Sequence, residues 1–175
     1  MAWHGLTATG PAEVGMAFLR GDETAPEIII LAYGMEEGLH GFYEAMALET
    51  GDREVSAMFE KLADIEVLHK HKLFELYREF DPTVSDVDMF EAETVTVVME
   101  GGLTTEEFLA QNKPAMNTIS DVLDIAMMIE TQALDLYLRY SHKAKEQKSK
   151  AVMYDIAEEE KAHLAALGRL REARA

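Results

Sequence analysis

The chain has 175 residues, enough for one domain with its own core. Its 33 acidic against 16 basic residues give a formal charge of −17, which argues against nucleic acid and anionic membranes as partners, since both need a basic face. The absence of cysteine excludes disulfides, thiolate zinc sites, iron–sulfur clusters and cysteine nucleophiles, and no apolar run approaches the length of a membrane span.

Residues 1–24 are weakly patterned and read as a tail or linker, with Pro11 suited to open a short helix over Ala12–Arg20. No basic segment followed by an apolar stretch opens the chain, so a cytoplasmic protein is expected. The domain proper is expected over residues 25–175. Thr24 or Asp22 is available as a cap for a first long helix over Pro26–Thr50, carried by Ile28, Leu31, Ala32, Met35, Leu39, Phe42, Tyr43 and Met46 at three- and four-residue steps. A second runs from about Asp52 to Phe80 on Val55, Phe59, Leu62, Ala63, Leu73 and Leu76, and Asp81-Pro82 stops it. A third is predicted over Lys113–His142 and a fourth over Glu146–Arg174, with a polar turn at Lys143-Ala144-Lys145 between them.

The segment at about 81–112 is a long connection. Val87–Met99 is valine-rich but ends at Gly101-Gly102 and is read as a helix, and Thr104-x-x-Glu107 fits a capping box opening another. A helix of about 27 residues is about 40 Å long. If the second helix ends at one end of a bundle and the third starts at the other, the link must cross that length. The expected fold is therefore all-α: a four-helix bundle with one long crossover between helices 2 and 3, the ferritin-like arrangement.

Three Glu-x-x-His motifs occur: Glu37…His40, Glu66…His69 and Glu160…His163. With 23 Glu and 6 His, chance placement gives roughly one, so a single motif says little. An internal repeat says more. A shift of 94 residues carries Glu66 onto Glu160 and His69 onto His163; it also carries Ala32, Glu36 and Tyr43 onto Ala126, Glu130 and Tyr137, and Leu73 and Leu76 onto Leu167 and Leu170. Helices 1–2 and 3–4 thus read as two copies of one hairpin. Glu37 and His40 fail the test, mapping to Thr131 and Leu134.

All four repeated glutamates sit on apolar stripes, so four carboxylates and two imidazoles should converge inside. Burying unpaired carboxylates costs several kcal/mol each, and cations compensate them. One Glu from each of two helices plus Glu-x-x-His from each of the other two is the di-iron or di-manganese carboxylate pattern. Glu36, Glu66, His69, Glu130, Glu160 and His163 are the candidate ligands for two metal ions. Oxygen and imidazole donors suit iron or manganese, and zinc also occupies such sites. Two divalent ions would bring the formal charge from −17 to −13.

Over residues 26–174 the pattern resembles the rubrerythrin branch of the ferritin-like superfamily, in which a ligand Glu stands seven residues before a Tyr on helices 1 and 3 (Glu36/Tyr43 and Glu130/Tyr137) and Glu-x-x-His stands on helices 2 and 4. The resemblance implies that Glu66 and Glu160 bridge the metals, and that Tyr43 and Tyr137 each hydrogen-bond a ligand carboxylate. It implies a non-haem di-iron oxidoreductase acting on hydrogen peroxide, or oxidising ferrous iron with dioxygen. The electrons would come from an external donor such as a rubredoxin-like protein, and the protein would be a homodimer. The alternatives are a non-catalytic metal-binding module for storage, delivery or sensing, and a purely structural bundle. The sequence departs from rubrerythrin in two ways: it has no cysteines for a rubredoxin site, and Ala133 stands where the family has an extra ligand Glu. The second departure implies a more symmetric site. Met1-Ala2-Trp3-His4-Gly5 is similar to the Ala-Trp-x-Gly stretch near the end of rhodanese domains, which implies a rhodanese–rubrerythrin fusion; an ordinary tail explains these five residues equally well.

Overall fold

The computed structural model describes residues 24–94 and 103–174. The expected helix over Ala12–Arg20 and the residues resembling rhodanese lie outside them. Four long helices form the frame: α1 (Ala25–Glu49), α2 (Arg53–Phe80), α5 (Ile119–Lys143) and α6 (Gln147–Glu172). Between α2 and α5 lie two short helices, α3 (Val87–Thr94) and α4 (Thr105–Asn112), and a 3₁₀ turn at Lys113–Ala115. Among the described residues there is no strand, and no helix is long and apolar enough to cross a membrane.

Local chemistry sets the helix boundaries. Thr24 and Glu27 form a capping box at the start of α1, with Pro26 in the first turn. The Asp52 carboxylate accepts from the Glu54 and Val55 amides to start α2. Only three residues, 50–52, join α1 to α2 and three, 144–146, join α5 to α6, so each pair folds back as an antiparallel hairpin. The third long helix starts six residues later than the expected Lys113, at the first residue of its apolar stripe, Ile119. Pro114 lies in the 3₁₀ turn, and Thr118 forms a capping box with Asp121, so the chain re-enters α-helix only at Ile119. Of the helix expected over Val87–Met99, residues 87–94 are helical and 95–99 lie outside the described residues.

The crossover runs along α1. Phe90 of α3 packs edge-on against Tyr33, 5.1 Å between ring centres, and against Phe74 and Tyr77 of α2. Further on, the Thr105 hydroxyl donates to the Gly38 carbonyl at 3.1 Å and Phe108 packs edge-on against Phe42. Lys113 pairs with Glu49, the last residue of α1, at 2.9 Å. A Cβ on Gly41 would lie 3.3 Å from Thr105 Oγ1, so the missing side chain lets α4 approach this closely. The described parts of the link thus meet α1 at points from Tyr33 to Glu49, and the last of them leads into α5. The two hairpins then close on each other, α2 against α6 and α1 against α5.

Candidate metal centre

On α2 the inward stripe reads Val55, Phe59, Leu62, Glu66, His69, Leu73, Leu76; on α6 it reads Met153, Ala157, Glu160, His163, Leu167, Leu170, and all are buried. Glu36 and Glu130 occupy the same kind of position on α1 and α5, each four residues after a buried alanine. Helical periodicity therefore turns four carboxylates inward, and small neighbours (Ala32, Ala63, Ala126, Ala133, Ala157) leave space around them. All four glutamates and His69 are wholly shielded from solvent, and His163 is 4% exposed.

The six residues meet at the centre of the bundle. His69 Nδ1 lies 2.9 Å from Glu66 Oε2, 3.3 Å from Glu36 Oε2 and 3.3 Å from Glu160 Oε1. His163 Nδ1 lies 3.0 Å from Glu160 Oε2, 3.3 Å from Glu130 Oε2 and 3.6 Å from Glu66 Oε1. Glu66 and Glu160 thus each turn one oxygen to each histidine. The imidazole rings face one another, 5.7 Å apart and 21° from parallel. Two overlapping groups result: Glu36, Glu66, His69 and Glu160, and Glu66, Glu130, Glu160 and His163, each offering ligand atoms within 4.8 Å of one another. Glu66 and Glu160 belong to both groups.

Two tyrosines cross between the hairpins. Tyr43 on α1 donates to Glu130 on α5, and Tyr137 on α5 donates to Glu36 on α1. Each fixes the carboxylate of the opposite copy. Burial, followed by the nearby Glu130 and Glu66 carboxylates, pushes the Tyr43 hydroxyl well above its ordinary pKa, so it keeps its proton.

The electrostatics point to missing positive charge. The carboxylate oxygens of Glu66 and Glu160 are fully buried and none has a properly formed hydrogen bond among the described residues. Burial, then the neighbouring carboxylate of Glu36 for Glu66, and burial, then that of Glu130 for Glu160, push both groups well above the usual carboxylate range. Burial also raises Glu130, but its contacts with Glu160, His163 and Tyr43 outweigh that and hold it low. Burial alone would depress His69; Glu36, Glu160 and Glu159 outweigh it and lift the imidazole to about 9. Four carboxylates with neutral imidazoles carry −4, which two divalent cations would neutralise. The donor set, oxygen with borderline nitrogen, fits iron or manganese.

Some polar residues beside the site are not evident from the sequence. Glu159 Oε2 lies 3.0 Å from His69 Nε2, and its other oxygen pairs with Lys72. Glu37, which could have offered a further ligand, pairs with Lys70, and His40 lies 3.7 Å from Glu44; neither reaches the centre. In the run Glu158-Glu159-Glu160 the repeat singles out Glu160, but Glu159 maps to Ile65, and nothing in the spacing tells that it also reaches the other hairpin.

No curated protein matches the chain. A hypothetical protein from Pyrococcus furiosus has a similar structure, with TM-score 0.66 over 93% of this chain and 94% of that one; at 24% identity this likeness shows the fold. The family model for rubrerythrin matches residues 27–116, a span holding Glu36, Glu66 and His69, while the 94-residue repeat supplies their counterparts in α5 and α6. The chain belongs to the rubrerythrin family of ferritin-like, di-iron proteins.

Proposed function

We propose that the chain is a non-haem di-iron oxidoreductase that reduces hydrogen peroxide with electrons from an external donor. The observation that carries this reading is the pair of buried carboxylates, Glu66 and Glu160, each turned to both histidines and lacking hydrogen bonds of its own. Glu36 and His69 would hold one metal, Glu130 and His163 the other, with Glu66 and Glu160 between them. A reduced metal pair held there would supply the two electrons that, with two protons, convert hydrogen peroxide to two molecules of water. Tyr137 and Tyr43 orient Glu36 and Glu130 by donating to one oxygen and leaving the other towards the centre. Phe59, Leu62, Ile129 and Ile156, all buried, keep bulk water from the site.

The 175 residues contain no cysteine, so the electrons come from a donor outside them, such as a rubredoxin-like protein. Homodimerisation and a cytoplasmic location complete the proposal and rest on family resemblance. Ferrous oxidation with dioxygen would use the same residues. The lack of an internal cysteine site also favours a second reading: metal held for storage, delivery or sensing without turnover.

Iron loading separates these readings. The expected result is about two irons per chain, reoxidation of the reduced protein by peroxide faster than that of free ferrous ion, and continued peroxide consumption when a reductase is supplied. Reoxidation no faster than free ferrous ion overturns the oxidoreductase reading. A single oxidation per site, with no further consumption, favours storage or sensing.

A further inference from the structure

The two halves of the centre match closely in their innermost residues but differ in how their histidines are held from behind. His69 turns Nδ1 to the carboxylates and Nε2 to Glu159 Oε2 at 3.0 Å. Lys72, one turn further along α2, pairs with the other oxygen of Glu159. A carboxylate on α6 thus reaches across to the histidine of α2 and is itself held in place. His163 likewise turns Nδ1 inward, but all its polar contacts among the described residues are made through that atom. The 94-residue repeat explains the difference: the counterparts of Glu159 and Lys72 are Ile65 and Ala166, which can neither accept nor hold such a bond.

With its Nδ1 lone pair directed at a metal, a neutral imidazole carries its hydrogen on Nε2. A carboxylate accepting that hydrogen fixes the tautomer and ring orientation, and makes the imidazole a stronger donor. Resting on the dinuclear reading above, we propose that Glu159 is a positioning residue for His69 that makes the two metal positions unequal, the tighter one lying on the His69 side. The site then fills in order, first between Glu36 and His69, then between Glu130 and His163.

Cobalt(II) titration of the full chain, followed by calorimetry and by proton NMR of the paramagnetically shifted imidazole N–H signals, tests this. The wild type should bind cobalt in two resolved steps. One N–H signal, that of His69, should exchange slowly with water and the other quickly. Glu159→Ala should weaken the tighter step by about 10–100-fold, leave the weaker step in place and make both signals exchange quickly. Glu159→Gln keeps an acceptor without the charge and should restore slow exchange with only part of the affinity. Ile65→Glu, which gives the second half the missing carboxylate, should strengthen the weaker step. Two cobalt ions bound equally by the wild type, or steps and exchange rates unchanged in Glu159→Ala, would overturn the proposal while leaving the dinuclear reading intact. Fewer than two cobalt ions per wild-type chain would overturn both.

Discussion

The hairpins α1–α2 and α5–α6 share a frame of carboxylates, imidazoles and tyrosines and differ in polar residues around it. Glu36, Tyr43, Glu66 and His69 have the counterparts Glu130, Tyr137, Glu160 and His163, and the contacts of one set mirror those of the other. Behind that frame the first hairpin carries a network. Tyr33 donates to Glu91 of the crossover at 2.6 Å; Lys70 pairs with Glu37 and lies 3.8 Å from Glu91. The second hairpin has Met127, Thr131 and Leu164 at the positions corresponding to Tyr33, Glu37 and Lys70. The copies share the carboxylates and imidazoles that two cations would require. Of what they do not share, Tyr33, Glu37 and Lys70 meet the crossover or one another beside it, while Glu159 and Lys72 hold His69 from the other hairpin.

The strongest way to break this comparison is to remove a shared carboxylate. Metal at 100 to 1,000 times its dissociation constant should stabilise the wild type by about 3–4 kcal/mol, seen as a rise in Tm. Glu66→Ala and Glu160→Ala should both abolish most of that rise, and to the same extent. The metal-free variants should be no less stable than the metal-free wild type, since each relieves repulsion among buried carboxylates. A rise in Tm retained in one of the two would show that Glu66 and Glu160 are not equivalent.

pH provides a second test, because the metal-free and loaded forms should respond in opposite directions. His69 is lifted from 6.5 to about 9, and Glu66 and Glu160 stand well above their ordinary range. These three groups therefore hold more protons in the folded metal-free protein than in the unfolded chain. Their contribution to stability is fully present below their unfolded values and declines as pH rises towards 9, by about 3 kcal/mol for His69 alone. A metal must displace those protons, so its affinity rises over the same interval, up to about tenfold per pH unit for each proton released. Urea titrations with chelator and with metal at pH 6 and pH 8.5 should show the two trends diverging. Parallel trends would mean that the buried groups are not the ones that bind the cation.

The long helices were legible because their apolar residues recur at helical steps over 25 or more positions, and the candidate ligands because the same residues return at one offset. A capping signal mattered most at the start of α5. The helix was expected from Lys113, but Pro114 and the Thr118–Asp121 capping box start it at Ile119, where its apolar stripe begins. Glu159 and the Tyr33–Glu91 pair were not legible. Each depends on which side chain reaches an element 58 or 90 residues away, and helix periodicity fixes only the face on which a residue stands.

Smaller effects sharpen the comparison by testing equivalence within the frame. Tyr43→Phe and Tyr137→Phe each leave an oxygen of a buried carboxylate without its donor, at a cost of about 1–3 kcal/mol. Because the bonds cross, Tyr43→Phe should disturb the Glu130–His163 position and Tyr137→Phe the Glu36–His69 position. Thermal melts should give similar losses for the two variants. Cobalt titration should assign the weakened step to opposite halves; the same step weakened in both would break the pseudo-symmetry.

The smallest effect belongs to the unshared network. Tyr33→Phe removes the bond to Glu91, whose side chain is 40% exposed and can turn to water, so the loss should be about 1 kcal/mol or less. Phe90 remains packed among Tyr33, Phe74 and Tyr77, which limits how far α3 can move. Amide exchange should quicken in α3 while α5 and α6 keep their wild-type protection, because the residue at the corresponding place in the second hairpin, Met127, has no hydroxyl to form such a bond. Equal quickening in α5 and α6 would mean that the crossover's attachment to the first hairpin is felt throughout the bundle, and that the two hairpins are not separable in the way their polar residues suggest.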